Sequence, residues 1–233
     1  GQIGDTVDKA FRDKHHLIPL EEALLNIHFP RDLEKLEKAR FRLKFEELFF
    51  IQLGLVQQKN LRQLKLGSYT FGKIGPAFNE FYENGLPFEL TGAQKRVLKE
   101  IRRDVGSGHQ MNRLLQGDVG SGKTIVALMA MLMALDNGYQ ACLMAPTEIL
   151  AQQHYQGLNE LIGPQGLRIE LLTGSVKTAA RKPILADLAS GELPFIVGTH
   201  ALLEDPVKFK NLGLVVIDEQ HRFGVAQRAK MWK

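Results

Sequence analysis

The chain has 233 residues, of which 44% are hydrophobic and 24% charged, and it carries a formal net charge of +4 at pH 7. This is the composition of a folded globular protein with one large domain or two small ones, and it excludes disordered, collagen-like and coiled-coil chains. The single cysteine, Cys142, excludes an internal disulfide and a cysteine-rich zinc site, so we expect a cytoplasmic protein.

The sequence pattern predicts neither a membrane helix nor a native amino terminus. The longest unbroken apolar run, residues 125–135, is far shorter than the about 20 residues that span a bilayer. The chain begins with Gly rather than Met, and no basic segment followed by an apolar one marks a signal peptide. We therefore expect no membrane partner, and we expect the chain to be an internal piece of a longer protein.

Residues 1–85 have the pattern of an all-α region. One helix is predicted over residues 20–28, where Phe29-Pro30 ends it, and a longer helix over residues 32–58. Three- and four-residue spacing predicts that one face of the longer helix is formed by Phe41, Phe45, Leu48, Gln52 and Leu55. Asn84-Gly85-Leu86-Pro87 combines a helix stop with a proline, so we place a domain boundary after residue 85 and expect a helical linker region before it.

From residue 86 onward, short apolar segments alternate with helical ones. Strands are predicted at residues 113–116, 141–145, 168–172, 195–198 and 214–218. Helices are predicted from about residue 122 to 137, from 148 to 163 and from 178 to 191, and each ends at a glycine. Alternation of this kind predicts an α/β domain over residues 86–233, with a parallel sheet covered by helices on both faces and its ligand site at the carboxyl ends of the strands.

The segment Gly117-Asp118-Val119-Gly120-Ser121-Gly122-Lys123-Thr124 matches the P-loop pattern, and it lies between a predicted strand and a predicted helix. Its glycines let the backbone curl, so that N–H groups and the helix amino terminus face a phosphate chain. Lys123 would then reach the β- and γ-phosphates, and Thr124 would offer its hydroxyl to Mg²⁺. The segment therefore predicts a nucleoside triphosphate site.

Two adjacent carboxylates, Asp218 and Glu219, end the last predicted strand. Because side chains alternate along a strand, Asp218 can face a Mg²⁺ ion while Glu219 orients and deprotonates an attacking water. Together with the P-loop, this pair indicates hydrolysis of a nucleoside triphosphate.

Gln94 has two interpretations. In Thr91-Gly92-Ala93-Gln94 the glutamine completes a capping box, in which its side chain reaches back to the Thr91 N–H. An amide also has one donor and one acceptor side, with which Gln94 could read the edge of an adenine. Both roles stay open at this point.

Taken in chain order, these motifs resemble those of superfamily 2 helicases. The resemblance rests on Gln94, the P-loop, Ala145-Pro146-Thr147-Glu148-Ile149-Leu150, Thr173-Gly174, Gly198-Thr199-His200-Ala201-Leu202 and Asp218-Glu219-Gln220-His221. More narrowly, residues 86–94 and 218–225 are similar to the RecG family of bacterial branched-DNA helicases. Transcription-repair coupling factors share much of this pattern, but they usually carry another acid in place of the Gln220-His221 pair.

The resemblance implies a P-loop NTPase, RecA-like motor lobe at residues 86–233, truncated at its carboxyl end, after a linker that follows an absent wedge domain. It implies ATP and Mg²⁺ as cofactors, held by the residues named above, with adenine against Gln94. Contacts with the DNA backbone are implied for Pro146, Thr147, Thr173, Gly174, Thr199 and His200. Coupling between nucleotide and DNA is implied for Gln220, His221 and Arg222.

The function implied by the resemblance is ATP-driven translocation on double-stranded DNA that remodels stalled forks and Holliday junctions in recombination and repair. The implied partners are branched DNA and a single-stranded-DNA-binding protein, and the implied state is a monomer. Because a second motor lobe supplies arginines in such helicases, we expect this chain alone to show little DNA-stimulated ATPase. The alternatives are a coupling-factor-like translocase, a P-loop kinase and a non-catalytic nucleotide-binding module.

Overall fold

A computed structural model describes residues 4–65 and 69–224, except for the side chains of Lys59 and of residues 62–65. The chain forms two compact units, Gly1–Leu66 and Gly67–Lys233. The first is helical, and the second contains a parallel sheet.

The helical unit contains α1 (Lys9–Lys14), α2 (Leu20–His28) and α3 (Leu33–Lys65). Helix α2 has the predicted bounds, because Pro30 follows its last turn, whereas α3 continues beyond the predicted end at residue 58. Neither α3 nor any other described helix combines the length and the apolarity that a membrane span requires.

The face of α3 that packs in this unit differs from the predicted one. Helix α2 packs against α3, where Ala39 and Arg42 are fully buried. Phe41, Leu48 and Leu55 are exposed instead. Small Ala39 lets the two helices approach closely, and Arg42 fills the neighbouring space with its polar end fully paired.

In the second unit, the sheet is preceded by residues 69–85, which the sequence analysis assigns to the linker region. This segment includes α4 (Pro76–Glu80) and a π-helical turn, Phe81–Gly85. The Asp136 carboxylate accepts hydrogen bonds from the N–H groups of Gly75, Ala77 and Phe78 at 2.9, 3.0 and 3.1 Å. Phe81 is fully buried in the core of this unit. These contacts place residues 69–85 with the α/β unit, earlier in the chain than the predicted boundary.

The remaining elements alternate as the sequence predicts. They are α5 (Gly92–Val105), α6 (Lys123–Asp136), β1 (Gln140–Met144), α7 (Glu148–Ile162), β2 (Ile169–Leu172), α8 (Thr178–Ser190), β3 (Phe195–Gly198) and β4 (Leu212–Ile217). All strand pairs are parallel, and the strand order is β2-β3-β1-β4.

Helices cover both faces of this sheet, as predicted. Ala141 and Leu143 of β1 point into one core with α5, α6 and α7, while Cys142 and Met144 point into a second core with α8. Burial raises the pKa of the Cys142 thiol to about 12, so the lone cysteine is a core residue and not a thiolate ligand.

The strand predicted at residues 113–116 is absent. The described sheet ends at β4, and these residues have no strand conformation. The Arg113 guanidinium instead pairs with Asp104 and Glu100 of α5, and Leu114 is 67% exposed. The start of the segment is therefore tied to α5 by ion pairs, and residues 113–116 form no strand pairing with the described sheet.

Candidate active site

The four strands end level with one another. Leu172 pairs with Gly198, Gly198 with Met144, and Met144 with Ile217. The residues that follow these strand ends therefore stand in a row along one edge of the sheet. That row contains four of the predicted motifs: the loops at Thr173, Thr199 and Pro146, and the acid pair at Asp218.

The P-loop lies at the same edge. Helix α6 packs against β1 and β4, and a turn of three residues connects its end to the start of β1. The helix therefore runs antiparallel to the strands, and its amino terminus lies at their carboxyl ends. Because α6 is buried along nearly its whole length, this amino terminus is held in place by the core.

The loop itself has the backbone that a phosphate cradle requires. Gly120 and Gly122 have φ angles of 79° and 77°, a region that side chains with a Cβ rarely adopt. Gly122 is the amino-terminal cap of α6, so the free N–H groups of its first turn open toward the loop. Val119 at the tip is fully exposed. The arrangement fits an anion at the start of α6.

Lys123 is folded back onto this loop. Its Nζ donates to the carbonyl oxygens of Gly117 and Asp118 at 2.7 and 2.8 Å. The ammonium is thus bound by carbonyl oxygens of the loop itself. Thr124 follows at the next position and is half-buried.

Gln94 forms the predicted capping box and also a contact with the P-loop. Its Oε1 accepts from the Thr91 N–H at 2.8 Å, and its Nε2 donates to the Ser121 carbonyl at 2.9 Å. The space beside Gly122 is filled by the same amide, so a Cβ at that position would collide with it. Gln94 is 7% exposed and engaged at both polar ends, while its contact with adenine stays a prediction.

The two carboxylates of the acid pair point to different partners. The Asp218 N–H donates to the Met144 carbonyl at 2.8 Å, and Asp218 Oδ2 lies 2.8 Å from Nε2 of His154 on α7. Glu219, two residues beyond β4, caps the following turn in the left-handed region, with φ 49° and ψ 46°. Its Oε2 lies 3.2 Å from Nε2 of His221 and 3.7 Å from Nε of Arg222.

His154 is a residue that the sequence analysis missed. It lies on the same side of α7 as the buried Ala151 and Leu158, three residues after the first and four before the second. A polar residue on the buried side of a helix was the available signal, but the sequence does not reveal its partner 64 residues away.

The predicted DNA-contacting residues divide into buried and exposed ones. The Thr173 and Thr199 side chains are buried, and no hydrogen-bond partner for Thr199 Oγ1 is found in the described part of the chain. Thr147, Gly174 and His200 are exposed, and Pro146 is half-buried. The phosphate contacts expected of the two buried hydroxyls are thus not available at the surface in this structure, whereas the others line the edge.

Two side chains hold the loops of this edge. Thr147 caps α7, accepting from the Leu150 N–H at 3.3 Å. Glu148 accepts from the Ser175 N–H at 3.1 Å, which joins the start of α7 to the loop after β2. Beside them lies an open groove of about 450 Å³, whose lining includes Gln152, Thr173 and Val176.

The residues predicted to couple nucleotide and DNA form a single 3₁₀ turn, Gln220–Arg222. All three are exposed. Phe223, which the sequence analysis did not single out, is buried in the core on the α8 side of the sheet and anchors the end of this turn.

The side chains present fit Mg²⁺ and a triphosphate. Among residues 4–65 and 69–224, no group of three or more His, Cys, Asp or Glu side chains could hold a metal ion by itself. Mg²⁺ binds in many phosphate-transfer sites through one or two protein ligands, with phosphate oxygens and water completing the shell. One carboxylate, Asp218, and one hydroxyl, Thr124, are the donor set such a site needs.

Comparison with known proteins identifies similar chains. A family model described as DEAD/DEAH box helicase matches residues 91–233. The chain is 52% identical over 230 residues to the ATP-dependent DNA helicase RecG of Synechocystis sp., covering 99% of this chain and 28% of that protein. It is 46% identical over 226 residues to RecG of Streptococcus pneumoniae, covering 97% of this chain and 33% of that protein.

A solved structure of RecG bound to a three-way DNA junction has the same fold. The TM-score is 0.84 at 43% sequence identity, and the match covers 96% of this chain and 30% of that one. The chain therefore spans about a third or less of the length of the relatives it matches.

Proposed function

Since this chain belongs to the DEAD/DEAH box helicase family, we propose that it forms the ATP-binding part of a motor that moves on double-stranded DNA and remodels branched junctions. The observation that carries the proposal is the level row of strand ends. This row sets the acid pair, the P-loop helix and three backbone loops along one edge of the sheet.

At the nucleotide, we assign phosphate binding, metal binding and activation of the attacking water to separate residues of the chain. The P-loop N–H groups and the start of α6 bind the phosphates, and Lys123 moves from the Gly117 and Asp118 carbonyls to the β- and γ-phosphate oxygens. Thr124 and Asp218 would hold Mg²⁺, which neutralises charge on the phosphate oxygens when bound. Glu219 orients the attacking water and accepts its proton.

The position of Glu219 supports separate roles for the two carboxylates of the acid pair. Glu219 lies two residues beyond β4 in the left-handed region, and its carboxylate has different neighbours from the Asp218 carboxylate. The two acids can then serve the metal and the water separately. His221 Nε2 and Arg222 Nε lie near the exposed Glu219 carboxylate, and we propose that DNA binding at this turn alters their approach.

At the DNA, we propose that exposed Thr147, Gly174 and His200 contact the backbone without reading sequence, together with Pro146. Thr173 and Thr199, which are buried, support the same loops from inside in this proposal. The substrate class follows from RecG, whose solved structure holds a three-way DNA junction. A single-stranded-DNA-binding protein as partner, a monomeric state and a cytoplasmic location are further proposals from the same similarity.

The test is ATP hydrolysis by the full-length protein that carries this sequence, measured with forked, linear duplex and single-stranded DNA. We expect the highest rate with the fork, and a loss of about 100-fold or more in Lys123→Ala. Equal rates on all three DNAs would contradict the junction specificity. Phosphorylation of a small acceptor would indicate a kinase instead, and nucleotide binding without hydrolysis a binding module.

A further inference from the structure

The contact between His154 and Asp218 has a defined direction. Their Nε2 and Oδ2 atoms are 2.8 Å apart. An ionised carboxylate only accepts hydrogen bonds, so His154 Nε2 carries the hydrogen and donates it. The contact thus binds one oxygen of the carboxylate and leaves the other available.

His154 is itself held in place. Its side chain is 18% exposed, and α7 is fixed by Ala151, Leu158 and Ile162 in the core. The amino end of the same helix is fixed independently by its Thr147 cap and by the Glu148 contact with Ser175. The donor nitrogen therefore stands on a rigid element.

Asp218 needs such a partner. Its N–H is fixed by Met144, but it is the first residue beyond β4 and its side chain is one-third exposed. Without a second contact, the carboxylate could rotate among the staggered side-chain positions. The Met144 carbonyl of β1 holds the backbone N–H, and His154 of α7 holds one carboxylate oxygen, so the two contacts together favour one orientation of the side chain.

We propose that His154 is a positioning residue, which fixes the Asp218 carboxylate in the orientation that receives Mg²⁺ beside the P-loop. This inference rests on the proposed nucleotide site. It assigns a role in metal binding to α7, whose amino-terminal cap Thr147 is connected with DNA by the resemblance.

The test replaces His154 by glutamine or by asparagine, whose amide side chains differ in length, in the full-length protein that carries this sequence. In His154→Gln, the side-chain nitrogen can reach the place of Nε2 and donate to Asp218. In His154→Asn, the chain is one methylene shorter and the amide falls short. Gln156→Ala is the control, because Gln156 is exposed on the same helix. Calorimetry measures ATP affinity with Mg²⁺ and with EDTA, and hydrolysis is measured across a Mg²⁺ titration.

In His154→Asn we expect the Mg²⁺ concentration for half-maximal hydrolysis to rise by about 10- to 100-fold, as for other residues that orient a metal ligand. In the same variant, the increase in ATP affinity on adding Mg²⁺ should be smaller by a similar factor. The affinity for ATP in EDTA should stay unchanged. His154→Gln should stay within about threefold of the wild type, by the same principle. Thermal unfolding of each variant shows that the comparison is made between folded proteins.

Two results would overturn the inference. One is a Mg²⁺ dependence in His154→Asn equal to that of Gln156→Ala. The other is an equal loss in the Asn and Gln variants that extends to ATP binding in EDTA, which would indicate packing alone. If the wild type itself lacks Mg²⁺-dependent ATP binding, the proposed function fails instead, so the two failures are distinguishable.

Discussion

At the scale of single residues, Gln94 shows how one side chain can serve two elements. Its oxygen completes the cap of α5 and its nitrogen holds the P-loop through Ser121. Both polar atoms of the Gln94 amide are engaged in these contacts. In this structure Gln94 therefore joins the start of α5 to the P-loop.

This role predicts a result for Gln94→Ala. Losing the cap and the loop contact should lower the free energy of unfolding by about 1–2 kcal/mol without nucleotide. An effect through the loop alone lowers the affinities for ATP and GTP by the same factor, whereas the predicted adenine contact would add a further loss for ATP only. Chemical unfolding and calorimetry with both nucleotides measure this.

Gln94→Glu is the matched comparison, since it keeps an oxygen that can cap Thr91 but turns a second acceptor oxygen toward the Ser121 carbonyl. Because this nearly buried carboxylate has no donor on that side, the variant should lose at least as much stability as Gln94→Ala, and it should also lose nucleotide affinity. A selective loss of ATP binding in Gln94→Ala, with GTP binding unchanged, would instead establish the adenine contact.

At the scale of elements, the helical unit depends on a charged cluster around Arg42. Arg42 donates to Asp5 and to the Ile18 carbonyl, and it also pairs with Glu46. Burial acts to raise the pKa of Asp5, but hydrogen bonds from the N–H groups of Leu20 and Val7 and from Arg42 outweigh it and lower that pKa. The ionised carboxylate therefore stabilises the folded unit.

The sign of the pH dependence follows from this lowered pKa. The stability from Asp5 is fully present above its ordinary pKa of about 3.9 and is lost as pH falls through the lower, folded value. Between pH 7 and pH 3 the wild type should therefore lose stability that Asp5→Asn does not lose, and the loss should steepen as pH falls further toward the lowered, folded pKa. Hydrogen exchange in α2 and α3 reports on this unit, and identical pH profiles in both proteins would contradict the account.

Elements also show what could be predicted from sequence. Local sequence signals were sufficient at three places. Pro30 marks the end of α2, Thr91 caps the start of α5, and glycines permit the backbone conformation of the P-loop. The predicted strand at residues 113–116 is wrong, because its apolar pattern gives no information about whether a partner strand lies beside it. The inward face of α3 was also missed, since it depends on where α2 packs.

At the scale of the whole chain, the alternation of strands and helices predicted a parallel sheet whose strand ends share one edge, which composition alone does not indicate. The level strand ends show why: motifs distant in sequence meet only because the sheet is parallel. The partnership of His154 with Asp218 and the burial of Thr199 follow from the packing of α7 and of the sheet edge, which no local pattern encodes.

The most direct test of the account is the Mg²⁺-dependent affinity of the full-length protein for ATP, measured by calorimetry in the wild type, Lys123→Ala and Asp218→Asn. We expect tight binding that requires Mg²⁺ in the wild type, a loss of at least about 10-fold in Lys123→Ala with or without Mg²⁺, and a loss confined to the Mg²⁺-dependent part in Asp218→Asn. ATP binding that is absent, or that is unaffected by Mg²⁺ and by both substitutions, would contradict a motor built on this edge of the sheet.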